Sequence, residues 1–459
     1  MVRYVLTIGT TAGLLFGATG GARAQGPQAP VATISATGTA GEGAGRALTL
    51  EQALALARRA NRSLVVEQAR VAQAQVSLQQ AYNVLFPTLT AQGKYTRNNV
   101  GVSFPFVDSK TGQAVTINLQ PLNQRDGTLA FSTLLFAPAV YPALKAVKSG
   151  VELAEQNMKA AEVEILLSVA QSFYACAAAD EVLAARDSNI AVARATLETS
   201  RTRFSAGTVT KLDVDRAQIA VLHAEQAKRE AELAKAQSYR ALATLTETEG
   251  AFRVVPPEQT FEQGQVDATG KDLNNVLQLR PEFRALEVGA RQIDLVRKAD
   301  AWKWAPSISA FGNARWFNYD NFIREHHSWA VGATVDWVLY DGGTRDSDRH
   351  LQIAKLQETM ARQEVLRESI RDDIENGKLQ VRTKHQAQLT AERSVGLAQE
   401  TVELTRTQYE AGSATQIDVL QAQDALVAAQ DELARAHFDV ALADLTLRRA
   451  AGTFPEDPK

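Results

Sequence analysis

The chain has 459 residues, of which 22% are charged and 45% hydrophobic, and its formal net charge is −3. This composition is typical of a folded globular protein and excludes a disordered one. The slightly acidic balance provides no basic surface, so the sequence predicts no nucleic-acid partner.

The N-terminus, "MVRYVLTIGTTAGLLFGATGGARAQ", has the parts of a secretory signal peptide. Arg3 supplies the charge, an apolar stretch follows, and Ala22-Arg23-Ala24 forms an A-x-A cleavage site. We predict a signal peptide over residues 1–24 and a flexible lead-in, rich in Gly, Ala and Pro, over residues 25–46.

Two further features limit the class of protein. Cys176 is the only cysteine, so an intramolecular disulfide is excluded. After the signal no run of about 18 apolar residues follows, so a membrane crossing would require a closed β-barrel.

The chain repeats one plan at a distance of about 205 residues, which indicates an internal duplication. The stretch "FSAGTVTKLDVDRAQ" (204–218) matches "YEAGSATQIDVLQAQ" (409–423), and "VLFPTLTAQGKYTRN" (84–98) matches "KWAPSISAFGNARWFN" (303–318). The predicted units are a first repeat over 47–250, a connector over 251–271, a second repeat over 272–452 and a C-terminal tail over 453–459.

Each repeat contains two segments in which apolar and polar residues alternate, as in a strand hairpin. The predicted strands cover about 88–97, 127–137, 307–318 and 328–339. A soluble sheet would explain one such strand, but little else in this mainly helical chain is available to cover four. We therefore predict that the apolar face meets lipid, with four aromatic residues on it: Tyr95, Trp316, Trp329 and Trp337. Four strands cannot close a barrel of at least eight, so several chains would have to contribute.

Between Pro142 and Arg203 the chain has no further Pro and a single Gly, which predicts a helix of about 60 residues. Apolar residues recur every seven positions in both repeats, which predicts left-handed coiled coils. The recurring positions are Val169, Cys176, Leu183, Ile190, Leu197 and Phe204, then Ile374, Val381, Gln388, Val395, Val402 and Tyr409, and finally Val419, Leu426, Leu433, Val440 and Leu447.

The shared Ala-Gly turn is predicted to reverse the long helix at its far end. Gly207 and Gly412 supply the permissive backbone that such a turn needs. Asp213 and Asp418 then fall in the first turns of the returning helices, where the helix dipole favours an acid.

Taken together, these residues make the chain resemble the TolC family of outer-membrane efflux proteins over about 48–452. The resemblance rests on the duplicated order of helix, hairpin, long helix and turn, and on "LYDGGTRDS" (339–347) and "YEAGSATQIDVLQAQ" (409–423). It implies a mainly α fold with a membrane β-barrel. Three chains would form a trimeric α-barrel continuous with a 12-stranded β-barrel, each giving four strands. A mixed belt around the helices would come from residues 48–60, 250–275 and the C-terminal end.

By the same resemblance, the protein is expected in the bacterial outer membrane, extending into the periplasm. It would be the exit duct of a tripartite efflux or type I secretion system. Its implied partners are two further copies of the chain in a homotrimer, a periplasmic adaptor (membrane fusion) protein, an inner-membrane transporter and outer-membrane lipid. The sequence leaves the substrate open between drugs, metal ions and proteins.

The resemblance also implies two functional regions at the turns. The periplasmic aperture would involve Tyr409, Gly412, Asp418 and Gln421, with Asp418 giving a cation-favouring ring of three carboxylates. Ala414 stands where the family pattern has an arginine, and Gln421 where it has a second aspartate. We therefore expect a gating network with fewer contacts. The adaptor would dock on both turns, at Gly207, Thr208, Asp213, Gly412 and Ser413.

Other kinds of site have little support. The pair His326-His327 lacks the further ligands that a metal needs, and Asp213-x-Asp215 has no Gly-rich phosphate loop nearby. Since no nucleophile motif accompanies the scattered histidines, we predict no enzyme, no metal and no cofactor. The remaining alternative is a soluble periplasmic coiled-coil adaptor or spacer, which would carry one helical hairpin rather than two.

Overall fold

The computed structural model describes residues 46–107, 112, 114–257, 266, 269, 272–320 and 325–454. All of these belong to one compact unit. The predicted signal peptide, residues 25–45 of the lead-in, residues 258–265, 267–268 and 270–271 of the connector, and residues 455–459 of the tail lie outside the described residues.

The first half of the chain contains six strands and four helices within the described residues. Their bounds are β1 Arg46–Thr49, α1 Leu50–Ala60, α2 Arg62–Asn83, β2 Thr88–Arg97, β3 Val102–Val107, β4 Ala114–Gln120, β5 Asn123–Phe136, α3 Val140–Ser205, α4 Lys211–Thr246 and β6 Phe252–Val255.

The second half repeats this order without the small strands. Its elements are α5 Leu273–Leu279, α6 Pro281–Trp302, β7 Ser307–Phe317, β8 His327–Asp336, α7 Thr344–Glu410 and α8 Gln416–Ala450. At about 1.5 Å per residue, the long helices α3 and α7 are each roughly 100 Å long.

The four long strands form one antiparallel sheet in the order β2-β5-β7-β8. One row across it joins Leu89 to Phe131, Phe131 to Gly312 and Gly312 to Val331. Because directly paired residues share a face and successive residues alternate, this register places most of the apolar positions of the four strands on one side. The two hairpins therefore combine into a single sheet with one apolar face.

The helices are arranged as columns. The long helix α3 contacts all four of the medium-length helices α2, α4, α6 and α8, and α7 contacts α6 and α8. In each repeat the two shorter helices thus run along the long one. No helix in the described ranges has both the length and the apolar composition that a membrane span requires.

The largest core cluster lies at the middle of α3. The parallel strands β1 and β6 place Leu48 and Val254 against Leu166 and Phe173, and Phe454 from the C-terminal end joins them. The residues assigned to the mixed belt therefore bury their apolar sides in two places. The elements β1, α1 and β6 pack against α3, whereas Val266 and Leu273 join a second cluster with Ile370 of α7.

Two strand details differ from the sequence expectation. Trp337 lies just beyond β8, since the ladder ends where Ser307 pairs with Asp336 and the preceding Pro306 has no N–H to continue it. The hairpin β3–β4 was not anticipated. It is an addition to the end of the first repeat's hairpin, and Asn118 and Asp320 exchange hydrogen bonds of 2.9 and 3.0 Å across to the second repeat.

Two helix details differ as well. The helix α3 begins at Val140, so Pro142 lies in its first turn, where a missing N–H is tolerated. The seven-residue pattern also stops short of the turn, because Phe204 is exposed.

Candidate functional site

The two Ala-Gly turns are built alike. Gly207 and Gly412 have φ values of 75° and 80°, a left-handed conformation that side chains disfavour. Each turn is followed by a threonine and, three residues on, by an aspartate that closes the start of the returning helix. In both repeats the turn therefore ends in the same N-terminal cap.

Asp418 holds the start of α8. The backbone N–H and the hydroxyl of Thr415 both donate to Asp418 Oδ2, at 2.8 and 2.7 Å. These bonds, from the side chain first and then the backbone, keep the pKa of Asp418 below its ordinary value. The carboxylate is therefore ionised at neutral pH. Gln421 lies exposed one turn further along the same helix.

Asp213 makes the equivalent contacts in the first repeat. The backbone N–H and hydroxyl of Thr210 donate to Asp213 Oδ2 at 3.0 and 2.8 Å. Of the other positions predicted for docking, Thr208 and Ser413 are exposed, and their hydroxyls donate to the last turns of α3 and α7. Both turns thus combine a hydrogen-bonded backbone with exposed tips.

A contact between the two turns was not predicted from the sequence. The guanidinium of Arg203, at the end of α3, lies 4.5 Å from the ring centre of Tyr409 at the end of α7. Arg203 also donates to the backbone carbonyls of Tyr409 at 3.2 Å and Glu410 at 3.4 Å. The aromatic residue expected at the aperture therefore has an arginine partner, from the other repeat. The sequence hint for this contact is that Arg203 directly precedes Phe204, which is the counterpart of Tyr409 in the first repeat.

Polar side chains also join α3 to α8 above the turns. The buried amide of Gln416 donates to Ser200 Oγ at 3.1 Å, and Gln423 donates to Thr196 Oγ1 at 3.0 Å. These contacts link the helical hairpin of the first repeat to that of the second.

The exposed apolar face of the sheet is the second candidate region. By register, Tyr95, Trp316 and Trp329 lie on this face, together with Val331, which is 73% exposed. The other face is mostly polar and includes Thr90, Gln92, Lys94, Asp126, Thr128, Asn313, Arg315 and Thr334. A sheet of this kind suits a boundary between an apolar and an aqueous medium.

The strand-to-helix junction anchors this face to the helices. Asp341 accepts hydrogen bonds from the backbone N–H and Nε of Arg345, at 3.0 and 2.9 Å. The guanidinium of Arg345 lies 3.9 Å from the ring centre of Trp304, whose carbonyl accepts a bond from Trp337 Nε1 at 3.1 Å. The sequence "LYDGGTRDS" is thus a structural corner that fixes Trp337 in an exposed position.

Cys176 and the pair His326-His327 have surroundings that indicate no site. Cys176 is buried in the core of α3, and burial raises the pKa of its thiol to about 12. His327 lies near Glu325, with 3.3 Å between Nε2 and Oε2, and His326 contacts the Tyr319 carbonyl at 3.2 Å. Within the described ranges, no group of three or more candidate ligands could hold a metal ion.

The sequence and fold were compared with those of known proteins. The model of the family described as "Outer membrane efflux protein" matches residues 53–247 and 273–453. Two relatives are each 24% identical to this chain. Nodulation protein T of Rhizobium leguminosarum bv. trifolii is matched over 68% of this chain and 68% of its own length. Outer membrane protein TolC of Vibrio cholerae is matched over 71% and 76%.

Solved structures show the same fold at low sequence identity. The outer membrane protein VceC from Vibrio cholerae is 19% identical with a TM-score of 0.70, over 88% of this chain and 96% of its own. The CmeC outer membrane channel of Campylobacter jejuni is 16% identical with a TM-score of 0.72, over 88% and 85%.

Proposed function

The chain belongs to the outer membrane efflux protein family, and on that basis we propose that it is the exit duct of a tripartite efflux or type I secretion system. Substrates would pass from an inner-membrane pump through the periplasm to the outside of the cell. The protein is an outer-membrane protein that extends into the periplasm. Its role is transport, and we assign it no enzymatic activity.

The observation that most directly supports this function is that an exposed apolar sheet face is continuous with two long helical hairpins. The edge strands β2 and β8 leave backbone groups available for pairing. An uncovered sheet with open edges is unstable in water. If copies of the chain close a barrel in lipid, the lipid covers the apolar face and the edge strands pair with those of the neighbouring copies. We propose a homotrimer whose twelve strands form the membrane barrel.

The outer helix columns support the same assembly. Leucine and isoleucine side chains are exposed along α4 in one outer column and along α7 in the other. Such stripes are what a coiled-coil seam to a neighbouring copy would bury. The residues are Leu212, Ile219, Leu222 and Leu233 on α4, and Leu379, Leu397 and Leu404 on α7.

The proposed layout follows the predicted boundaries. Export would remove the signal peptide, and the repeats 47–250 and 272–452 would each contribute one hairpin to the barrel and one to the helical tube. Tyr95, Trp316, Trp329 and Trp337 would contact lipid at the barrel surface.

At the other end, the turns would form the aperture. Asp418 of each chain would line it as a ring of carboxylates, with Gly412 shaping the turn and Gln421 one helical turn further in. We propose that Arg203 supplies, through Tyr409, the arginine contact that Ala414 does not provide. The exposed tips at Gly207, Thr208, Asp213, Gly412 and Ser413 would receive a periplasmic adaptor protein that connects to an inner-membrane transporter.

The alternative of a soluble periplasmic adaptor or spacer is disfavoured by family membership and by the uncovered sheet. Electron microscopy of the full-length protein, extracted from membranes in mild detergent, tests the proposal. Hollow threefold tubes well over 100 Å long are expected, since the helices alone span roughly 100 Å. Slender rods recovered from the soluble periplasmic fraction would overturn it in favour of the alternative.

A further inference from the structure

A cleft of about 460 Å³ lies between α3, α7 and α8, above the two turns. Its volume is within the range of small-molecule sites, about 300–1,000 Å³. Its lining residues lie on these three helices and combine apolar and polar side chains. It therefore differs from the exposed apolar stripes of the outer columns.

Two polar atoms in the lining have no partner among the described residues. They are Gln416 Oε1, on a side chain that is buried, and the hydroxyl of Tyr409. The orientation of the Gln416 amide is fixed, because Ser200 Oγ donates to the Thr196 carbonyl and so must accept from Gln416 Nε2. Oε1 is thus an acceptor without a donor, which is unfavourable for a buried polar atom.

The charge of the lining favours a cationic donor. Glu403 and Glu410 contribute carboxylates, and Arg406 is the guanidinium, which pairs with Glu410 at 3.3 Å. Glu403 forms no ion pair with any described residue, so its carboxylate is available at the rim. Val192, Val402, Val419 and Leu426 supply the apolar wall of the same cleft.

We propose that this cleft is a binding site for a short alkyl diammonium ligand. One ammonium donates to Gln416 Oε1 and the Tyr409 hydroxyl, the second pairs with Glu403, and the methylene chain lies on the apolar wall. Since the site needs only α3, α7 and α8 of one chain, it goes beyond the duct function. A bound ligand would join the two helical hairpins at their present spacing.

The test is calorimetric titration of 1,4-diaminobutane into the full-length protein in detergent, with uncharged 1,4-butanediol as the matched probe. Saturable binding of the diamine, and not of the diol, is expected. Glu403→Gln should weaken the affinity about tenfold or more, because a charge-assisted contact is lost. Gln416→Met, which keeps the side-chain length, should weaken it as well.

Glu400→Gln is the matched control, since Glu400 is an exposed carboxylate on α7 outside the cleft lining. It should bind the diamine as the unmodified chain does. Absence of saturable binding would mean that the cleft holds only water, and the proposal would fall. It would also fall if Asp418→Asn abolished binding while Glu403→Gln preserved it, because the diamine would then bind at the aperture. Neither result would affect the tubes expected by microscopy.

Discussion

Replacing Arg203 by alanine should loosen the contact between the two turns. The side chain lies 4.5 Å from the Tyr409 ring centre and donates to the Tyr409 carbonyl at 3.2 Å. A partly exposed cation–π contact contributes about 0.5–1 kcal/mol, and one charge-assisted hydrogen bond about 1.5 kcal/mol. The second bond, to Glu410, is long at 3.4 Å and adds little.

The loss is therefore about 2 kcal/mol per chain, or roughly 30-fold in the equilibrium between joined and separated turns. Three chains opening together would lose about 6 kcal/mol, which is close to the roughly 5.5 kcal/mol that takes a two-state system from 1:99 to 99:1. We expect Arg203→Ala to raise the open fraction of single channels recorded in planar bilayers. Arg203→Lys should have an intermediate effect, because lysine keeps the charge but lacks the planar fork.

Arg201→Ala is the control for this experiment. Arg201 lies two residues earlier on α3, and its contacts to Gln218 at 3.1 Å and Glu198 at 3.9 Å stay within the first hairpin. It should leave the open fraction unchanged. If Arg203→Ala and Arg201→Ala gave the same recordings as the unmodified chain, the contact would not hold the aperture closed.

Three further substitutions, two of them paired with a control substitution, test other parts of the structure. Asp418→Asn should abolish the cation preference, measured by reversal potential. In the unmodified chain the preference should be full at neutral pH and decline on acidification, because a lowered folded pKa keeps the carboxylate charged until the pH falls through it. A preference that Asp418→Asn leaves unchanged would contradict this. Val331→Arg, on the apolar sheet face, should cost about 2–4 kcal/mol in lipid and reduce membrane-inserted protein, whereas Thr334→Arg on the opposite face should not; equal yields would refute the orientation. Gly412→Ala should lower the thermal midpoint, since a left-handed residue costs about 1 kcal/mol. Gly396→Ala, in the interior of α7 where an added Cβ meets nothing within 4 Å, should raise it.

The strands show how far local pattern can predict this fold. Period-two alternation indicated the apolar residues of each strand, including Trp329 and Trp316, because that pattern is local. It carried no information on the pairing of β5 with β7, which joins segments nearly two hundred residues apart. The hairpin β3–β4 was not predicted, because its short apolar runs are interrupted and flanked by Pro and Gly and so resemble a loop.

The candidate site was predictable only where it depends on one turn. Gly412 and Asp418 follow from helix-capping chemistry within a few residues. The partner of Tyr409 is Arg203, and their contact exists only because the packing of α8 on α3 brings the end of α7 beside the end of α3. Gln416 is similar: the first residue of a helix is usually solvated, and only the packing of α3 over it makes it a buried amide.

The seams between the helices differ in chemistry, and this difference determines which of them separates most easily. Near the turns, α3 is joined to α4 by apolar side chains such as Leu197 and Val221, whereas α3 is joined to α8 through Gln416, Gln423 and their hydroxyl partners. Parting an apolar seam exposes hydrocarbon to water at about 25 cal/mol per Å². Parting a hydrogen-bonded seam exchanges each bond for one with water, at a net cost of about 0.5–1.5 kcal/mol. Each helical hairpin should therefore move as a unit, with the separation occurring between α3 and α8, where Arg203 and the cleft both lie.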